Sequence, residues 1–182
     1  MISGVDEVGR GALAGPIVAA AVVMPAGMNI AGVKDSKKIP KKNHRLLYKR
    51  ISELVFDYSF AVLSPQIIDS YGIQYANLLV LHEAVKRLSI KPDFVLSDWF
   101  SLSECQISNL AVKKGDERSM AIACASVLAK YFRDRIMASY HTGMYSQYAF
   151  NTNAGYGTEQ HLKAIKNYGI CNIHRKSFTR GI

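Results

Sequence analysis

The sequence predicts an α/β fold on three observations. Short apolar runs of strand length alternate with longer segments of helical period. One of the runs, "IVAAAVVM", is apolar without a break, as in a strand buried on both faces of a sheet. A long helical segment carries a stripe of small side chains, which lets a helix lie close on such a sheet.

Taken in order, strands are expected over residues 2–8 and 16–24, joined through Gly9, Gly11 and Gly15. "KKNHRLLYKRISELV" follows as a helix with Leu46, Leu47, Ile51 and Leu54 on one face. A third strand covers residues 58–63. A second helix, "YANLLVLHEAVKRL", places Tyr75, Leu78, Leu79, His82, Val85 and Leu88 together. Pro92 and Asp93 introduce a short strand over residues 94–97, and a fifth covers residues 110–112. The longest helix is expected over residues 117–139, with Ala121, Cys124, Ala125, Leu128, Ala129, Phe132 and Ile136 inward. An aromatic loop then leads to a short helix capped by Thr158. The expected organisation is a catalytic domain over residues 1–140 and a small carboxy-terminal helical region over residues 141–182 packed on it.

The 182 residues need no staple to fold, and three cysteines without a CxxC spacing suggest neither a disulfide framework nor a zinc site. No apolar stretch is long enough to span a bilayer, so a cytoplasmic monomer without membrane contact is expected. The net charge of +9 is unevenly placed. Between Lys34 and Arg50 eight basic residues stand against Asp35 alone. In the tail Lys163, Lys166, Arg175, Lys176 and Arg180 are interleaved with tyrosines. Base plus aromatic suits a nucleic-acid backbone, although a lysine run also makes a solvated helix face.

The acids point further. Asp6 and Glu7 are adjacent, and neighbours on a regular strand face opposite ways, so they serve one site only where the strand ends, at Gly9. Two carboxylates that close raise each other's pKa unless a cation lies between them, and Mg²⁺ prefers such oxygen ligands. A pairing with Arg10 or a turn cap is the plainer reading. Asp98 closes a short strand in "FVLSDWF", and Asp116 in "VKKGDERS" opens the long helix, where it would also serve as an N-cap. Acids ending separate strands of one sheet converge on one edge, as a pair of metal ions requires. The glycines of "GRGALAG" do not have the dinucleotide-binding spacing, and a strand rather than a helix follows them. Glycines beside a metal site instead let main-chain groups feel a sugar hydroxyl, the group that separates RNA from DNA.

At this point "GVDEVGRGALAGP", "DSKK", "SDW", "VKKGD", "ASVLAKYFRDR", "AGYGTEQH" and "HRKSF", in order along nearly the whole chain, resemble ribonuclease HII. The resemblance implies a ribonuclease H-like fold: a central mixed β-sheet flanked by helices, with a small C-terminal helical extension. It implies cleavage of RNA in RNA/DNA hybrids and 5′ to ribonucleotides embedded in duplex DNA, with Mg²⁺ or Mn²⁺, two ions per site, and 5′-phosphate and 3′-hydroxyl products. Asp6, Glu7, Asp98 and Asp116 would hold metal. Gly9, Arg10 and Gly11 would inspect the 2′-OH, Tyr156 would stack on the following sugar, and Lys37 and Lys38 would contact the backbone. A role in ribonucleotide excision repair and DNA replication goes with it. Asp134, four residues after Lys130, is accounted for by an intrahelical ion pair. Two departures stand out: Trp99 where many members have glycine, and Asn153-Ala154 where His-Lys is usual. The related ribonuclease HIII carries a further amino-terminal domain, so the HII form is the one expected. The alternatives are another acid-lined phosphoryl transferase, which would not depend on a 2′-OH, and a non-catalytic nucleic-acid binder, for which the acids would be a burden.

Overall fold

The computed structural model describes residues 1–33 and 41–182. Among these, five strands form one sheet: β1 (Ile2–Val8), β2 (Ile17–Met24), β3 (Asp57–Leu63), β4 (Phe94–Asp98) and β5 (Asn109–Val112). Their order is β3-β2-β1-β4-β5; β1 pairs antiparallel with β2, and β2 with β3, whereas β1–β4 and β4–β5 are parallel. The sheet is therefore mixed, as expected. Every residue of β2 is buried: Ala20, Val22 and Met24 enter one core layer, and Ile17, Ala19 and Ala21 the other. The unbroken apolar run follows from having helices on both faces.

The helices are α1 (Lys41–Leu54), α2 (Pro65–Tyr71), α3 (Ile73–Lys86), α4 (Gly115–Arg118), α5 (Met120–Ser139), α6 (Phe150–Asn153) and α7 (Glu159–Tyr168), with a 3₁₀ turn over Gly143–Tyr148. Helices α1 and α5 cover one face, α2 and α3 the other. At Gly4 a methyl group would lie 2.1 Å from the carbonyl carbon of Ala121, so only glycine lets α5 approach β1 this closely. The alanine stripe and Gly4 thus bring the long helix down over the strand that carries Asp6.

Four expectations about helices are corrected. In α1 the buried pair is Leu47 and Ile51, while Leu46 and Leu54 face solvent. In α3 the buried face is Ala76, Val80, Leu81, Ala84 and Val85, with Tyr75 and Leu78 exposed. The helix meets a sheet surface made largely of alanine, so small side chains on the helix also turn inward. The long helix begins at Met120, because Ser119 is extended and caps it by accepting from the amide of Ile122. Asp116 therefore lies in the separate turn α4 and caps neither helix, the N-caps being Lys114 and Ser119. On α5, Arg133 and Met137 are fully buried where Phe132 and Ile136 are only partly so.

A third core cluster joins Ala14 and Met137 to Tyr148, Phe150, Ala154, Ala164 and Ile165. It packs the carboxy-terminal residues against the loop between β1 and β2. Thr158 caps α7, its hydroxyl accepting from the amide of His161. Among the described residues no helix is long and apolar enough to cross a membrane.

Candidate active site

Strands β1 and β4 run parallel with Val5 opposite Ser97, so the next residues, Asp6 and Asp98, emerge side by side at the carboxyl edge of the sheet. Asp98 in turn is paired in register with Val112, the last residue of β5. Asp6 faces α5 and has the Ser126 hydroxyl as a hydrogen-bond partner. Glu7 donates its own amide to Asp6 Oδ1 at 2.8 Å, and Gly9, at φ +93°, ends the strand two residues later. The Gly115 amide donates to Asp98 Oδ1 at 2.6 Å, which ties the start of α4, and with it Asp116, to the same edge.

The charge balance of this edge is lopsided. Burial first, then repulsion from Glu7 and Asp98, pushes Asp6 up from 3.8 to about 8. Burial and Asp98 push Glu7 up from 4.5 to about 7, against a smaller attraction from Arg10. The plainer pairing with Arg10 survives only as that attraction on Glu7, the guanidinium lying over the Phe100 ring, 4.8 Å from its centroid. Among the described residues no three of His, Cys, Asp and Glu are already drawn in to ion-ligating separation.

Directly after Asp98 the chain makes an unusual turn. Trp99 has φ +63°, and the Phe100 amide donates to the Asp98 carbonyl at 2.7 Å, a γ-turn centred on the tryptophan. Holding a bulky residue there costs about 1–3 kcal/mol, a cost that glycine would not incur. The turn is fastened on both sides: the Trp99 amide donates to Val112 at 3.1 Å, and the Ser97 hydroxyl to the Phe100 carbonyl. It sends the indole outward, 56% exposed, and returns Phe100 beneath Arg10.

The loop between β1 and β2 rests on two buried arginines. Arg133 donates to the carbonyls of Pro16, Ala154 and Ala14, and Arg175 to those of Gly15 and Arg10. Both are wholly inaccessible. Burial pushes both pKa values down, and for Arg175 the nearby Arg133 adds to it, but a guanidinium keeps its charge. Neither residue is evident in the composition; the signal was an arginine at position 133 on an otherwise apolar helix stripe. Arg175, read as part of a basic surface, is a buried brace instead. The glycines above these arginines differ. A methyl on Gly9 would meet Arg133 Nε at 2.1 Å, whereas one on Gly11 would meet nothing within 4 Å. Packing dictates the first glycine and leaves the second unexplained by the protein itself.

Tyr156 stands beside this loop, with Arg133 over its ring at 5.3 Å. Its segment is sewn to the loop: the amides of Leu13 and Ala14 donate to the Gly155 carbonyl. The Tyr156 carbonyl sits 2.9 Å from His161 Nδ1, and His161 Nε2 sits 3.0 Å from His174 Nε2. The Cys171 amide donates to His174 Nδ1, so His174 donates through Nε2 and His161 through Nδ1, ending on Tyr156. Burial holds both histidines neutral, lowering His174 to about 4. Asn153 is also structural: its side chain bridges the Tyr148 carbonyl and the Gly155 amide. Gly9, Arg10, Gly11 and Tyr156 thus share one frame next to the acid edge. Lys37 and Lys38 lie outside the described residues. Asp134 forms the expected pair with Lys130.

Comparison with known proteins fits this geometry. The chain shares its fold with the ribonuclease HII of Archaeoglobus fulgidus, solved as a complex with PCNA, at a TM-score of 0.84 and 24% identity over 98% of this chain and 93% of that one. It shares it also with Bst-RNase HIII in complex with Mn²⁺, at a TM-score of 0.67 and 20% identity over 91% and 69% of the two chains. These likenesses define a ribonuclease H-like α/β protein. The family model described as Ribonuclease HII matches residues 3–181, and the Ribonuclease HII of Clostridium botulinum (strain Langeland) is 47% identical over all of this chain and 69% of its own length. The chain belongs to the ribonuclease HII family, and is a hydrolytic endoribonuclease of the ribonuclease H type.

Proposed function

We propose that the chain hydrolyses the RNA strand of RNA/DNA hybrids and also cuts 5′ to ribonucleotides embedded in duplex DNA. The observation that carries this reading is the acid edge beside an open glycine. Asp6 and Glu7 are raised to about 8 and 7 by burial and by neighbouring carboxylates, Glu7 and Asp98 on Asp6 and Asp98 on Glu7, a donor set short of positive charge. Oxygen-only ligands of this kind fit Mg²⁺ or Mn²⁺, and Asp6, Glu7, Asp98 and Asp116 would hold two such ions. When bound, the ions supply a lowered pKa for the attacking water and neutralise charge developing at the leaving 3′ oxygen. The Mn²⁺ in the ribonuclease HIII relative supports the same choice.

The protein's own residues do the rest. Burial and neighbouring carboxylates disfavour the anionic forms of Asp6 and Glu7, so a cation at this edge would favour the deprotonated, ligating state. Gly11, with nothing within 4 Å of where a methyl would stand, leaves room for a ribose to reach the main chain of Gly9, Arg10 and Gly11, where the 2′-OH is read. Arg175 holds the Arg10 carbonyl at 2.9 Å and so fixes the loop before substrate arrives. Tyr156, braced by Arg133 and His161, would stack on the sugar following the ribonucleotide. Lys37 and Lys38, with the carboxy-terminal residues 141–182, would grip the backbone of the duplex.

The test is cleavage of a labelled DNA duplex with one ribonucleotide, beside an all-DNA control and an all-RNA/DNA hybrid, with Mg²⁺, Mn²⁺ or EDTA. Incision 5′ to the ribonucleotide, absent from the control and with EDTA, is expected. Equal cutting of the all-DNA duplex would overturn the 2′-OH reading.

A further inference from the structure

We infer that Trp99 is a stacking platform for a nucleotide next to the scissile phosphate, with Lys113 as its charged companion. The inference rests on the nuclease reading above and adds a substrate contact to it. Three observations carry it. The indole is 56% exposed, although it sits on a turn pinned by hydrogen bonds to Asp98, Val112 and Ser97, so its exposure does not come from a loose chain. The backbone at φ +63° is one that glycine would occupy without strain, so the fold alone gives no reason for a tryptophan here. The Lys113 ammonium lies over the ring at 5.3 Å, leaving one aromatic face with a positive charge behind it, the pairing that suits a base or sugar attached to a phosphate.

Its place in the sheet gives the contact a purpose. Trp99 follows Asp98 directly, and the same turn seats Phe100 under Arg10 of the glycine loop. A nucleotide stacked on the indole would therefore be held between the acid edge and the loop that reads the 2′-OH. Ribose, phosphate and base would be fixed by one rigid segment. A solvent-exposed protein-docking anchor is the other use of such a side chain, and it makes a different forecast for nucleic-acid affinity.

Trp99 is the chain's one tryptophan, so its emission reports on it alone. The protein in EDTA and low salt is titrated with a labelled RNA/DNA hybrid, following intrinsic fluorescence and label anisotropy together. Trp99→Gly and Trp99→Phe are then compared for affinity, steady-state cleavage and melting temperature. Quenching that tracks the anisotropy is expected. For Trp99→Gly, Kd and KM should rise about tenfold, the scale of one base–aromatic stack, with Trp99→Phe keeping most of the affinity and neither variant melting earlier. Emission unchanged at saturating hybrid, or Kd and KM unaltered in Trp99→Gly, would overturn the inference while leaving the nuclease intact. A parent that cleaves no ribonucleotide substrate would instead overturn the function on which it rests.

Discussion

The acid edge and the arginine-braced loop are neighbours that handle buried charge in opposite ways. At the edge, burial raises Asp6 and Glu7 most, Glu7 adds to the rise of Asp6, and Asp98 raises both. Under the loop, Arg133 and Arg175 are equally buried, yet five main-chain carbonyls receive their N–H groups. One region answers its charge largely from the main chain; the other, on the reading proposed above, takes a cation from outside. An uncompensated buried charge is costly, so a protein keeps one where a ligand will supply the balance.

That contrast can be broken first at Asp6. Asp6→Asn should lower cleavage by about 10³-fold, the scale for removing a preorganised electrostatic group, while its melting temperature in EDTA stays level or rises. Matching kinetics and thermal melts would decide it; a variant that unfolded early would place Asp6 among the structural groups. The mirror experiment is Arg133→Met. Three carbonyls lose their donor, so roughly 3 kcal/mol of stability should go, read by urea unfolding. A small change would mean that the loop is held by its other contacts.

A finer cut compares two glycines of the same loop. Gly11→Ala should leave the fold unchanged, since a methyl there meets nothing, but should weaken cleavage at a single ribonucleotide by about 10- to 100-fold through the crowded 2′-OH. Gly9→Ala should show the reverse order of effects, losing stability first through φ +93° and the contact with Arg133. Equal stability losses in the two variants would remove the distinction.

Much of this contrast was open to a reader of the residues. The five strands lie where apolar runs and turn residues put them, and Asp6 and Asp98 converge because each follows the Val5–Ser97 pair on adjacent parallel strands. The helix faces were harder. Large residues such as Tyr75 and Leu78 mark the hydrophobic side in a scan by size, but a surface of alanines selects Ala76 and Ala84. Asp116 looked like a cap because no local pattern announced the extended Ser119 that separates α4 from α5, or the left-handed Lys114 that begins α4. The braces were least visible. An arginine that serves carbonyls from chain positions more than a hundred residues away leaves no mark beyond an odd place on an apolar stripe. Likewise His161 and His174 act on Tyr156 through a hydrogen-bond relay that only the folded chain assembles.

The most direct test of the incomplete edge is the melting temperature of the parent and Asp6→Asn with EDTA or Mn²⁺ at pH 5 and pH 8. Because the folded pKa values of Asp6 and Glu7 are raised above 3.8 and 4.5, the folded state binds the extra protons. Their contribution to stability in EDTA is then full at low pH and is lost as pH climbs through about 7 to 8. Deprotonated and repelling, the pair is also at its best as a metal ligand. Mn²⁺ should therefore raise the parent's melting temperature strongly at pH 8 and weakly at pH 5, by about 2.7 kcal/mol of added stability at a hundredfold excess over Kd. In Asp6→Asn the rise should be largely gone and the pH slope in EDTA shallower. A Mn²⁺ effect of the same size at both pH values, or one that survives in Asp6→Asn, would contradict the account.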